Sequence, residues 1–142
     1  MDTENTIAPK WLEVALDLAR THDWSKNKTS YRLCAIIVRG GRVISVGFND
    51  TPKNSYTIRA IFHKNTVNCI STHAECSAIH RAQGNLSGAK IYVVRLLANG
   101  NPAIARPCSI CHDALVSAGI RKIHYTVSGG GWAKETVHEN WD

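Results

Sequence analysis

The chain has 142 residues, 44% of them hydrophobic and 20% charged, which excludes a disordered or collagen-like polypeptide and suits one ordinary folded core but not two. A formal net charge of +6 favours anionic partners, whether nucleotide phosphates, nucleic acid or an acidic protein. No apolar run is long enough to span a bilayer, and the polar, acidic opening MDTENTIAPK lacks the basic start and apolar stretch of a secretory leader. The expectation is therefore a cytoplasmic protein with a single domain over residues 1–142.

In chain order, residues 9–21 place Trp11, Leu12, Val14, Ala15, Leu18 and Ala19 at helical spacing, which predicts an amphipathic helix. Residues 22–31 are polar and read as a loop. Leu33 to Val38 and Val43 to Phe48 are β-rich runs around Arg39-Gly-Gly-Arg42, whose glycines permit a tight antiparallel hairpin. From Asn49 to Thr72 periodicity fades, and a loop this long is commonly a functional one. A helix over His73 to Gln83, a strand over Ala89 to Leu96, a second helix over Cys108 to Ser117 and a strand over Lys122 to Val127 follow, with the rest read as a short tail. Strands alternating with helices predict an α/β sandwich whose later strands run parallel beneath covering helices.

Chemistry concentrates in two short segments, His73-Ala74-Glu75 and Pro107-Cys108-Ser109-Ile110-Cys111, each at a predicted helix start. Two cysteines three apart on a first helical turn can converge on one ion, where the helix dipole favours their thiolates. With His73 they make three protein ligands and leave a fourth tetrahedral position for water, the pattern of a catalytic Zn2+ and not of a closed structural site. Glu75, two residues from His73, points differently and suits a proton shuttle beside that water.

The same cysteines admit other readings. Cys108 to His112 spells the Cys-x-x-Cys-His of haem c attachment, which requires export, and a thioredoxin-like pair leaves His73 and Glu75 unexplained. Cys34, Cys69 and Cys76 read as small buried hydrophobes, with His63 and Cys69 an incomplete candidate for a second metal. Tyr125 and Trp132 offer ring faces either to a base or to the core.

His-x-Glu at 73–75 and Pro-Cys-x-x-Cys at 107–111 resemble the signature of the zinc-dependent cytidine and deoxycytidylate deaminases. Residues 45–52, SVGFNDTP, look like the Gly-Tyr-Asn-Gly stretch with a nearby Pro in deoxycytidylate deaminases, although Asp50 stands where that stretch has its last glycine. The resemblance implies a three-layer α/β/α cytidine deaminase-like sandwich on a mixed sheet of about five strands. It implies hydrolytic deamination of a cytosine nucleotide, dCMP to dUMP, by a homo-oligomer using Zn2+ and no organic cofactor. Glu75 would be catalytic, His73, Cys108 and Cys111 the metal ligands, and Asn49, Ala74, Lys53 and Tyr125 substrate contacts. Arg59, His63 and Lys64 are further phosphate-binding candidates. Two alternatives stand beside this: a deaminase of single-stranded DNA or RNA, and a silent deaminase-like fold that binds nucleotides or proteins.

Overall fold

A computed structural model of the chain describes residues 2–3, 8–27, 32–50 and 73–137. Among these, two dipeptide strands, β1 (Asp2–Thr3) and β5 (Pro102–Ala103), join five longer ones in a single sheet. The longer strands are β2 (Arg32–Arg39), β3 (Arg42–Phe48), β4 (Lys90–Leu96), β6 (Lys122–Thr126) and β7 (Trp132–Thr136). The order is β1-β7-β6-β4-β2-β3, with β5 paired to β4. The pair β4 and β6 is parallel and every other pair is antiparallel.

Among the described residues, three helices cover this sheet. Helix α1 (Lys10–Thr21) buries Leu12, Ala15, Leu16 and Ala19, the i, i+3, i+4, i+7 stripe expected of an amphipathic helix. That stripe packs on one face of the sheet against Cys34, Ile36, Tyr92 and Val94. Helices α2 (Ala74–Ala82) and α3 (Ser109–Ala118) lie on the other face, over Ala35, Ile37, Ile91, Val93, Ile123 and Tyr125. The side-chain alternation of each central strand thus feeds two cores at once, and the three-layer arrangement expected from the sequence is present.

Glycines at two places set local geometry. Gly40 and Gly41 join β2 to β3 with φ of +63° and +76°, the paired positive values of a two-residue hairpin turn. Gly47 acts instead by having no side chain: a Cβ there would overlap the Ala74 carbonyl oxygen and the Ala78 backbone nitrogen. Its absence lets α2 lie directly on β3, and Ser45 on the same strand donates to the Ala78 carbonyl at 2.7 Å.

The structure corrects the reading of the C-terminal part. What the sequence suggested as a short tail contains β7, which turns back antiparallel on β6, so parallel pairing stops at β4 and β6. The turn closes where the Val127 N–H donates to the Gly131 carbonyl at 3.0 Å, with Gly129 and Gly130 both at φ +91°. β1 then pairs with the outer edge of β7.

Candidate metal centre and active site

Helices α2 and α3 each return the chain to the start of the next long strand, β4 and β6. Near those starts the Leu86 N–H donates to the Ala118 carbonyl at 2.9 Å. The helix N-termini therefore face the carboxyl ends of β4 and β6, where unpaired amides and the positive dipole end favour anionic groups. His73 is the N-cap of α2 and Cys108 the N-cap of α3, both with extended backbone, while Cys111 lies in the first turn of α3. Both helices start one residue later than the sequence predicted, at Ala74 and Ser109, which puts two chemical side chains on caps.

His73, Cys108 and Cys111 bring their ligand atoms within 4.8 Å of one another. The Cys108 Sγ lies 3.9 Å from the His73 Nδ1. Cys111 is fully buried and Cys108 is exposed, so the centre is walled on one side and open on the other. One histidine and two cysteines match the nitrogen and sulfur donors that Zn2+ takes, and three of them leave a coordination position for a small ligand. The residues present fit the ion.

Protonation is strongly polarised across this set. Hydrogen bonds from Cys111 and His73 hold the Cys108 thiol down to about 3. The reciprocal contact with Cys108, then the contact with Cys76 and burial, hold Cys111 well above the usual thiol range. The Cys108 contact also raises His73 above an ordinary histidine. Glu75 follows His73 by two residues, is 5% exposed, and is pushed by burial up to about 6. A carboxyl near 6 can both accept and return a proton close to neutrality.

The other expected contacts separate into several cases. Ala74 opens α2 and is fully buried. Asn49 is buried at the end of β3, where its Oδ1 accepts from the Leu33 N–H at 3.0 Å and its own N–H donates to the Leu33 carbonyl at 3.2 Å. Asp50 Oδ2 accepts from His22 Nε2 at 2.9 Å, and His22 stacks on Phe48 at 3.7 Å. Tyr125 is 1% exposed in the core, its hydroxyl donating to Glu135 at 2.6 Å. Trp132 is partly buried against the α1 side of the sheet. Lys53, Arg59, His63, Lys64 and Cys69 lie outside the described residues.

Two features went unread in the sequence. Cys76, expected only as a buried hydrophobe, touches Cys111 with its Sγ 3.9 Å away; its spacing of three from His73 was the available signal. Arg106, immediately before Pro107-Cys108, binds Glu135 of β7 through Nε at 2.6 Å and Nη2 at 3.2 Å. That bidentate pair shares its carboxylate with Tyr125 and ties the segment entering α3 to β7. Beside it lies an open cavity of about 750 Å³ lined by Ile104, Arg106, Tyr125, Val127 and Lys134 among others, and by none of the metal-binding set.

A mixed sheet that aims two helix starts, one histidine and two cysteines at a single point defines a zinc-binding α/β domain. The chain belongs to the family described as the cytidine and deoxycytidylate deaminase zinc-binding region, whose model matches residues 6–127. It is 28% identical over 117 residues to an uncharacterised deaminase in the luxG 3′ region of Aliivibrio fischeri, covering 81% of this chain and 71% of that protein. It is 23% identical over 131 residues to a deoxycytidylate deaminase of Mycobacterium phage D29, covering 82% of this chain and 94% of that one. Among solved structures, the dCMP deaminase of cyanophage S-TIM5, crystallised with dCMP and dUMP, shares the fold. Its TM-score is 0.55 at 21% identity, over 84% of this chain and 83% of that one.

Proposed function

We propose that this chain catalyses the hydrolytic deamination of a cytosine nucleotide, with dCMP converted to dUMP and ammonia. The observation that carries the reading is the convergence of His73, Cys108 and Cys111 beside a buried carboxyl, Glu75. Zn2+ held by the three side chains supplies Lewis acidity that makes water nucleophilic near neutral pH. Glu75 would take one proton from water and give it to the ring nitrogen as the C–O bond forms, then take the second proton from the new hydroxyl and give it to the amine as the C–N bond breaks, so water and cytosine give uracil and ammonia in balance. Burial of Glu75 keeps the shuttled proton from bulk solvent, and the exposed Cys108 side of the centre is where a base would enter.

The phage deoxycytidylate deaminases among the chain's relatives support dCMP as the substrate. Asn49, Ala74, Lys53 and Tyr125 are the proposed substrate contacts. Asn49 would use its amide, since its carbonyl oxygen serves the Leu33 N–H. A cytoplasmic homo-oligomer of single-domain subunits completes the proposal.

Ammonia release from dCMP, CMP, dCTP, deoxycytidine and a single-stranded oligonucleotide tests this directly. Turnover of dCMP above the other four is expected. Reaction confined to the oligonucleotide, with the steep salt dependence of many phosphate contacts, would transfer the assignment to a polynucleotide deaminase. Bound zinc with no reaction on any of the five would indicate the silent fold.

A further inference from the structure

Cys76 lies one helical turn beyond His73 on α2, at the spacing that places two side chains on the same helix face. Its side chain and that of Cys111 are both fully buried, and their Sγ atoms are 3.9 Å apart. Among the described residues the mutually close donor atoms are those of His73, Cys108 and Cys111. Cys76 stands outside that set and touches one member of it.

Without a metal, either sulfur of the Cys76 and Cys111 contact can donate. Coordination removes the choice, because a cysteine bound to zinc is a thiolate with no proton to give. Cys111 then only accepts, and the proton in the contact belongs to Cys76. Thiols are weak donors, but this acceptor is charged and the contact is sealed from water, which strengthens it. The shells of groups behind metal ligands orient those ligands and tune how much charge they give the ion.

We propose that Cys76 is a positioning residue of the metal centre, its thiol donating a hydrogen bond to the metal-bound thiolate of Cys111. The contact draws charge off that sulfur and holds it toward the ion from the α2 side. This rests on the zinc reading of the site and not on the identity of the substrate.

The experiment loads the purified full chain with zinc and, separately, with cobalt(II), whose sulfur-to-metal charge-transfer band reports the charge on the sulfurs. Cys76→Ala and Cys76→Val remove the donor, Val filling the space that Ala leaves, while Cys76→Ser keeps a donor. Expected for Ala and Val are a band moved to lower energy and a zinc affinity, by chelator competition, weaker by about 10-fold. Ser restores both toward the starting protein. Far-ultraviolet circular dichroism of each metal-free variant separates loss of folding from loss of tuning.

A wild-type band and affinity in either Ala or Val overturns the proposal, as does a Ser variant that behaves like Ala. Three sulfurs in the zinc shell by X-ray absorption would also overturn it, making Cys76 a ligand. If the unaltered chain binds no zinc, the reading of the metal centre itself fails. A clean cobalt result with no ammonia from dCMP leaves Cys76 in this role and removes only the substrate.

Discussion

Burial changes what the Glu75 carboxyl can do near neutral pH. Placed in solvent, its carboxyl would be ionised throughout the neutral range; at 5% exposure it is held up to about 6, where proton capture and return are both feasible. Glu75→Ala should therefore keep zinc, measured by metal analysis, and lose turnover by roughly 10²- to 10⁴-fold. Cys111→Ala, by contrast, should lose the metal first and activity as a consequence. Full activity in the Glu75 variant would remove it from the mechanism.

His124 is a second buried titratable side chain, stacked on Tyr92 at 4.4 Å, with no place in the chemistry. Burial is the main force pushing its pKa down to about 4, with Lys90, Lys134 and Lys122 adding to it. The unfolded chain binds a proton at this histidine once the pH falls below about 6.5; the folded chain resists until about 4. The unfolded state thus holds more protons in that interval, and stability drops as pH falls through it. Thermal unfolding at pH 7 and pH 4.5 should show a larger loss for the unaltered chain than for His124→Phe, which keeps a stacking ring. Equal losses would mean that the imidazole proton is irrelevant to stability.

At the scale of elements, the site depends on α2 resting directly on β3. Gly47 makes that possible, since any Cβ would meet the backbone of the first two turns of α2. Backbone has no rotamer to yield, so Gly47→Ala should cost at least about 1–3 kcal/mol, read as a lower unfolding midpoint. Because α2 carries His73 and Glu75, zinc affinity should fall with it. A variant with normal stability and normal zinc binding would show that α2 accommodates the methyl group at no cost. The second helix start is braced differently: Arg106 and Glu135 clamp the segment before Cys108 to β7, an element absent from the expectation drawn on the sequence.

For the molecule as a whole, the metal joins two helices that meet the sheet independently, so it should behave as a tertiary crosslink. A ligand bound only by the folded state stabilises it by about 4 kcal/mol when present a thousandfold above its dissociation constant. Removing zinc with a chelator should lower the unfolding midpoint, and readdition should restore it. An unchanged midpoint would mean that the folded chain does not bind zinc in preference to the unfolded one, and the crosslink would be absent. The cation surplus of the chain sets a different whole-molecule property, attraction of phosphates, which the substrate panel measures through its salt dependence.

The outline of the molecule was readable from local patterns. Helical spacing in residues 9–21, the Gly40-Gly41 hairpin and the alternation of apolar strands and helices are local signals, and each produced the element expected. His73, Cys108 and Cys111 were readable for a similar reason: the chemistry of a metal constrains residue type and spacing tightly enough to show in one chain. β7 was missed because its residues, Trp-Ala-Lys-Glu-Thr, have only two adjacent apolar side chains and no alternation to mark a strand; pairing with β6 supplies what its sequence lacks.

What the sequence determined by itself was the kind of chemistry and the class of fold, because residue type, spacing and periodicity act over a few positions. What only the tertiary structure decided was the environment of each group. Burial lifts Glu75, the sheet claims Tyr125 and the Asn49 side-chain carbonyl, and α2 sets Cys76 against Cys111 of α3. Those outcomes depend on desolvation and on contacts between segments far apart in the chain, and neither is a property of any residue taken alone.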